Sequence, residues 1–232
     1  MTLDNLSNAT RSGLTVQAKV YSVTGALLDD QAASGITLSS QQVKNKVLTP
    51  VVPKAGSSPA QDYFVELLLS QNGTLVDRNV YWLSTQQDAT NWAKTLGNPA
   101  GVITTYANLH ALRTLAPSSI SATAATRRQA GPDGADLATT VTIRNTSSSA
   151  VAFLLRADVR RGTASGQVLP GDNELQSSTW QNNDVTLFPG ETQTLTVTYD
   201  QADLQGATPV ISVSGWNAAT ADIAAPDQSS GW

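Results

Sequence analysis

The stretch STWQNNDVTLFPGETQTLTVTYD, Ser178–Asp200, places a Trp, two Asn and an Asp within five residues. An indole ring can stack on the apolar face of a sugar, while amides and a carboxylate can bond its hydroxyls, so Trp180, Asn182 and Asp184 are candidate ligand- or partner-binding residues. Strand parity decides what they do. If Val185 and Leu187 point inward, an unbroken strand sets Trp180, Asn182 and Asp184 in one outward column. If Asn182-Asn183 form a turn or bulge, the phase resets and Trp180 drops onto the core. Both readings stand at this level.

Other routes to chemistry are poorly supplied. Glycoside hydrolysis normally needs two carboxylates facing each other across the bond. The chain has three Glu. Glu66 lies in a strand, out of phase with its apolar face, and is expected to meet solvent. Glu174 falls in the loop GDNEL and Glu191 follows the turn FPG. No catalytic pair is predicted. The single His, His110, is accompanied by no G-x-S-x-G turn, so a Ser–His–Asp arrangement has no support. Asp133 with Asp136, or Asp172 with Glu174, could offer oxygens to Ca²⁺. Two carboxylates fall short of an EF-hand loop, and turn formation is the expected role. There is no cysteine and no phosphate-cradling Gly-rich loop, so no cofactor and no metal site is expected. Trp82, in a strand, and Trp92, on a short helix, are expected to pack. Trp216 falls in the last strand and Trp232 in the tail.

Composition narrows the partners. Hydrophobic residues make up 40% of the 232 and charged ones 14%, so the surface must rely on Ser, Thr, Asn and Gln. The net charge of -4 offers no basic stripe for a phosphate backbone, which argues against nucleic acid. Arg127-Arg128 and Arg160-Arg161 are expected as solvated edge charges. No apolar run reaches the roughly 18 residues of a membrane helix. The opening MTLDNLSNATRSG lacks the basic start and apolar segment of a secretory signal, and reads as a domain cut from a longer protein.

The elements that must position these residues are mostly strands. LTVQAKVY sets Leu14, Val16, Ala18 and Val20 on one face with period two. VTG turns the chain, and ALLDDQAAS runs back. QQVKNKVLTPVV predicts a further strand through Val43, Asn45 and Val47. DYFVELLLSQNGTLVDRNVYWLS predicts a hairpin closed at Asn72-Gly73, with Tyr63, Val65, Leu67 and Leu69 on one face. DATNWAKTLG predicts a short helix with Asp88 as N-cap, Trp92 and Leu96 four apart, and a stop at Gly97 before Pro99. TYANLHALRTLAP predicts a connector laid over a neighbour. Strands return in SISATAAT, LATTVTIRN, AVAFLLRADVRRG, TLTVTYD and PVISVSGWN. The spacing predicts an all-β protein of two tandem immunoglobulin-like β-sandwich domains, over 1–84 and 118–225. A connector with a short helix spans 85–117, and a frayed tail 226–232.

The segment NVYWLS after its hairpin, the Trp-bearing connector, and GDNEL…STWQNNDVTLFPGETQTLTV together resemble the C-terminal region of glycoside hydrolase family 2. The resemblance is to the actinobacterial exo-β-D-glucosaminidases, which trim glucosamine from the non-reducing end of chitosan. WQNNDVTLFPGE is similar to the Trp-Ser-Asp-Asn…Leu-x-Pro-Gly-Glu run of their last immunoglobulin-like domain, with Gln181-Asn182-Asn183-Asp184 replacing the Ser-Asp-Asn wording. The likeness runs from about Gly13 to Ala225. In that family both catalytic glutamates belong to a (β/α)8 barrel that precedes two immunoglobulin-like domains, and this chain matches only those last two. The resemblance therefore implies no catalytic residue in this chain. It implies the catalytic barrel as partner, chitosan oligosaccharide as a further candidate partner, and a secreted, extracellular location.

Overall fold

The computed structural model describes residues 1–95, 97, 101–129 and 136–228. The chain forms two compact units, Met1–Leu115 and Ala116 onward, each all-β apart from short helical turns.

The first unit contains β1 (Leu3–Asp4), β2 (Arg11–Ser22), β3 (Leu27–Leu38), β4 (Val43–Lys44), β5 (Asp62–Gln71), β6 (Thr74–Ser84), β7 (Ala89–Thr90), the one-turn helix α1 (Trp92–Thr95) and β8 (Ile103–Thr105). Its main sheet is antiparallel and four-stranded, ordered β3-β2-β5-β6. Leu14, Val16, Ala18 and Val20 are buried as period two requires, and Val16, Ala18 and Val20 face Leu69, Leu67 and Val65 across the ladder. The β5–β6 hairpin closes on Asn72 and Gly73 with φ of +51° and +83°, the doubly positive turn that matches strand twist. Ile36 and Leu38 of β3 continue the apolar face, and Leu3 and Leu48 join the same cluster. The strand expected through Val43, Asn45 and Val47 shrinks to Val43–Lys44, and Val43 is 52% exposed. Lys46 adopts φ +55°, which breaks the alternation.

The sequence from 85 to 115 folds into this unit. Asn91, not Asp88, caps α1: its Oδ1 accepts from Lys94 N at 3.1 Å. Asp88 instead accepts from Ala107 N at 2.7 Å, across the β7–β8 ribbon. Leu96 and Pro99 of the predicted helix lie outside the described residues. A 3₁₀ turn, His110–Thr114, buries Leu112 and leaves His110 exposed. It is fixed to β5 by Ala111 N donating to buried Asp62 Oδ2 at 3.0 Å.

The second unit is a sandwich of two four-stranded sheets. Its strands are β9 (Ile120–Arg128), β10 (Asp136–Asn145), β11 (Ala152–Gly162), β12 (Thr179–Trp180), β13 (Val185–Leu187), β14 (Thr192–Asp200), β15 (Thr208–Ser214) and β16 (Ala221–Ala224). One sheet runs β12-β14-β10-β9 and the other β13-β11-β15-β16, both antiparallel. Alternate residues of both inner faces, among them Val141, Ile143, Leu155, Val159, Leu195, Val197 and Ile211, fill one core. Thr139 occupies an inward position on β10, and its hydroxyl is satisfied by Thr126 Oγ1 and Tyr199 Oη, each at 2.7 Å.

The expected fraying from 226 is not seen as far as Gln228. Ala225 N donates to Pro209 O, Gln228 N donates to Thr126 O, and Asp227 pairs with Arg128 at 3.1 Å. The chain thus passes from β16 of one sheet onto β9 of the other. Trp232 and Asp133 lie outside the described residues.

Candidate functional site

The Trp180–Asp184 segment is a corner between the two sheets. Trp180 pairs with Val197 on β14, and Gln181 N donates to Thr196 O at 3.0 Å. Four residues after Gln181, Val185 pairs with Leu155 on β11, in the opposite sheet. Between them the chain leaves strand geometry, and Asp184 takes φ +53°. Asn183 drives the break. Its Oδ1 accepts from Ala157 N at 2.9 Å and its Nδ2 donates to Ala157 O at 2.8 Å. The carboxamide therefore stands where a strand neighbour of Ala157 would stand.

The three candidate residues do not form one column. Trp180 is half-buried and packs on the core of the second unit. Asn182 is exposed at the tip of the corner. Asp184, also exposed, lies in the field of Arg156. That guanidinium is pushed further up, first by its hydrogen bond to Asp158, with Asp184 and Glu174 adding to the effect.

Arg156 belongs to a charge lattice on the outer face of β11. Arg156 Nε stands 3.1 Å from Asp158 Oδ1, and Arg160 Nη2 stands 3.7 Å from both Asp158 Oδ2 and Glu174 Oε2. Arg160 is thus not an edge charge, because β11 is an interior strand between β13 and β15. Arg161 donates to the carbonyl oxygens of Asp172 and Asp203. Among the described residues, no group of three or more His, Cys, Asp or Glu side chains could hold a metal ion.

Sequence parity missed the environment of Glu66. Instead of meeting solvent it is 1% exposed. Arg78 Nε donates to its Oε1 at 2.6 Å, and Lys19 Nζ lies 3.5 Å from Oε2. Parity identified the face of β5 correctly but carries no information on what covers that face. The signal that could have found the triad is the pair of long cations on the strands either side of β5. Glu191 Oε2 accepts from Phe188 N at 3.0 Å, which locks the Phe188–Glu191 turn around Gly190 at φ +79°. All three glutamates are engaged in holding the fold.

Residues 99–218 match the family model described as the exo-β-D-glucosaminidase Ig-fold domain. The chain is 39% identical to an exo-β-D-glucosaminidase of Streptomyces avermitilis over 218 residues, covering 92% of this chain and 22% of that protein. It is 36% identical to one of Amycolatopsis orientalis, covering 96% of this chain and 20% of that protein. It therefore spans about a fifth of the length of these relatives. The crystal structure of Amycolatopsis orientalis exo-chitosanase CsxA superposes with a TM-score of 0.76 at 32% identity, over 97% of this chain and 25% of that one. A variant of the same enzyme in complex with PNP-β-D-glucosamine superposes equally well.

Proposed function

Because the chain belongs to the exo-β-D-glucosaminidase Ig-fold family, we propose that it is the non-catalytic β-sandwich region of a secreted enzyme that releases glucosamine from the non-reducing end of chitosan. In this reading it supports the catalytic barrel that carries the reaction, and that barrel is its partner. The observation that carries the proposal is the engagement of every glutamate. Glu66 is ion-paired with Arg78 and Lys19, Glu174 lies in the Arg156–Arg160 lattice, and Glu191 is held on a turn amide. A retaining or inverting glycosidase needs two carboxyl groups held facing each other across an open site.

The test is an assay of the purified chain against chitosan oligomers and PNP-β-D-glucosamine. No glucosamine and no nitrophenol should appear above the uncatalysed background. Turnover by the purified chain would overturn the proposal.

A further inference from the structure

The tip of the β5–β6 hairpin carries a reaction that the fold has to restrain. Asn72-Gly73 is the only Asn-Gly pair in the chain, and both residues are exposed to water. With no Cβ beside it, the Gly main-chain nitrogen of such a pair can attack the Asn carboxamide carbon. The bond from Gly73 N to Asn72 Cγ forms and the Cγ–Nδ2 bond breaks. Gly73 N gives up its proton, and Nδ2 leaves as ammonia. Water then opens the succinimide ring at either carbonyl, which yields Asp or isoaspartate.

Attack requires Gly73 N on the same side of the Asn72 Cα–C bond as Cβ. A type II′ turn, with ψ of about −120° at its first central residue, meets that requirement, whereas a type I′ turn, with ψ of about +30°, turns the nitrogen away. The two turns differ in the sign of φ at the second central residue. Gly73 has φ +83°, so the turn is I′ and the nitrogen faces away from Cγ. A flip of the one peptide plane between Asn72 and Gly73 converts I′ into II′, and both close a two-residue hairpin. The turn alone is a weak lock.

A second lock comes from β2. Gly13, at φ +67°, lies within a register shift of the β2–β3 ladder, and its carbonyl accepts from Asn72 N at 2.9 Å. A Cβ on Gly13 would collide with Asn72 Oδ1 and come within 3.0 Å of Cγ. The carboxamide thus lies over Gly13 Cα, in space that glycine alone leaves free. Gln71 Nε2 donates to Ser12 O at 3.0 Å and clamps the chain beside it. A carboxamide seated there does not reach Gly73 N.

We propose that Asn72-Gly73 is a latent deamidation site, held closed by the I′ turn and by the seating of the Asn72 carboxamide on Gly13. Opening of the tip has one irreversible outcome. Isoaspartate adds a carbon to the main chain of a turn whose length is fixed by the pairing of Gln71 with Thr74.

Peptide mapping tests this. The chain is incubated at mildly alkaline pH, folded or in urea, and then digested with trypsin. Cleavage after Lys54 and Arg78 isolates residues 55–78, in which Asn72 is the only Asn. Fragment masses and the isoaspartate content of that peptide give the rate at Asn72. The folded wild type should react at least about tenfold more slowly than the same chain in urea, because reaction waits on local opening. Gly13→Ala should raise the ratio of folded to unfolded rate about threefold or more. Gln71→Ala, which releases the clamp and leaves Gly13 intact, should raise it in the same direction. It carries the test if Gly13→Ala does not fold. Equal rates in folded and unfolded wild type overturn the proposal. So does an unchanged ratio in whichever variants remain folded. A rise no larger than the loss of global stability in urea unfolding also overturns it, since the whole unit and not the Gly13 seat would then govern the site.

Discussion

Glu66 shows what a single residue's parity can and cannot say. Its phase on β5 sets it opposite Val65 and Leu67, and that much was legible. Its burial was not, because burial depends on Lys19 and Arg78, which reach it from neighbouring strands. Breaking a buried ion pair from one side leaves the opposing charge poorly compensated. Glu66→Ala should therefore cost about 3–5 kcal/mol in urea unfolding. A cost below about 1 kcal/mol, the range of exposed pairs, would show that water reaches the triad. Trp180 makes the complementary case. The ring packs on the core but stays half-buried. Trp180→Ala should cost about 2 kcal/mol, less than the 3–5 of a fully buried ring. An unchanged unfolding midpoint would place the ring in solvent instead.

At the scale of elements, what was legible is what is local. The Asn72-Gly73 hairpin and the Phe188–Glu191 turn are written in adjacent residues whose backbone preferences are intrinsic. The N-cap of α1 was assigned to Asp88 in error, since Asp88 and Asn91 are both capping residue types and only the fold engages Asp88 with Ala107 across the ribbon. The corner at Asn183 was half legible. An Asn pair marks a break, but its bonding partner Ala157 lies 26 residues away. The same holds for Asn145 and Asn217, whose carboxamides also donate to main-chain carbonyls of other segments. Asn183→Ala strands a buried N–H and a buried C=O on Ala157 and should cost about 2–3 kcal/mol. Asn183→Asp keeps an acceptor for Ala157 N but sets a carboxylate against Ala157 O. That raises the carboxyl's folded-state pKa above its unfolded value. The folded state of this variant should then gain stability as pH falls towards about 4, where the carboxyl can donate to Ala157 O, and lose it as pH rises. Unfolding midpoints of Asn183→Asp at pH 4 and pH 7 check this. A variant no more stable relative to the wild type at the lower pH would rule out the paired geometry.

For the whole molecule, period-two patterning was enough to give the fold class, because two faces of opposite polarity leave the same trace in every strand. Function was legible only through family resemblance. The glutamates serve the fold, and the charges are too few to define a partner. The same poverty of charge makes buried phenols conspicuous, and Tyr63 and Tyr199 are two of them. Burial pushes the Tyr63 phenol up in the first unit. It does so for Tyr199 in the second, where hydroxyl bonds to Thr139 and Thr126 pull part of the way back. A phenol whose folded-state pKa exceeds its unfolded value contributes stability that is fully present below the unfolded pKa of about 10. That contribution is lost as pH rises through the folded value, because the unfolded chain gives up its proton first. Thermal midpoints should therefore fall more steeply above pH ~10 than the loss of charge balance alone would give. Tyr63→Phe should flatten that decline. Tyr199→Phe should flatten it too, from a lower starting midpoint, because it removes the hydroxyl partner of Thr139. Parallel alkaline profiles for the wild type and both variants would mean that neither phenol's ionisation is coupled to folding.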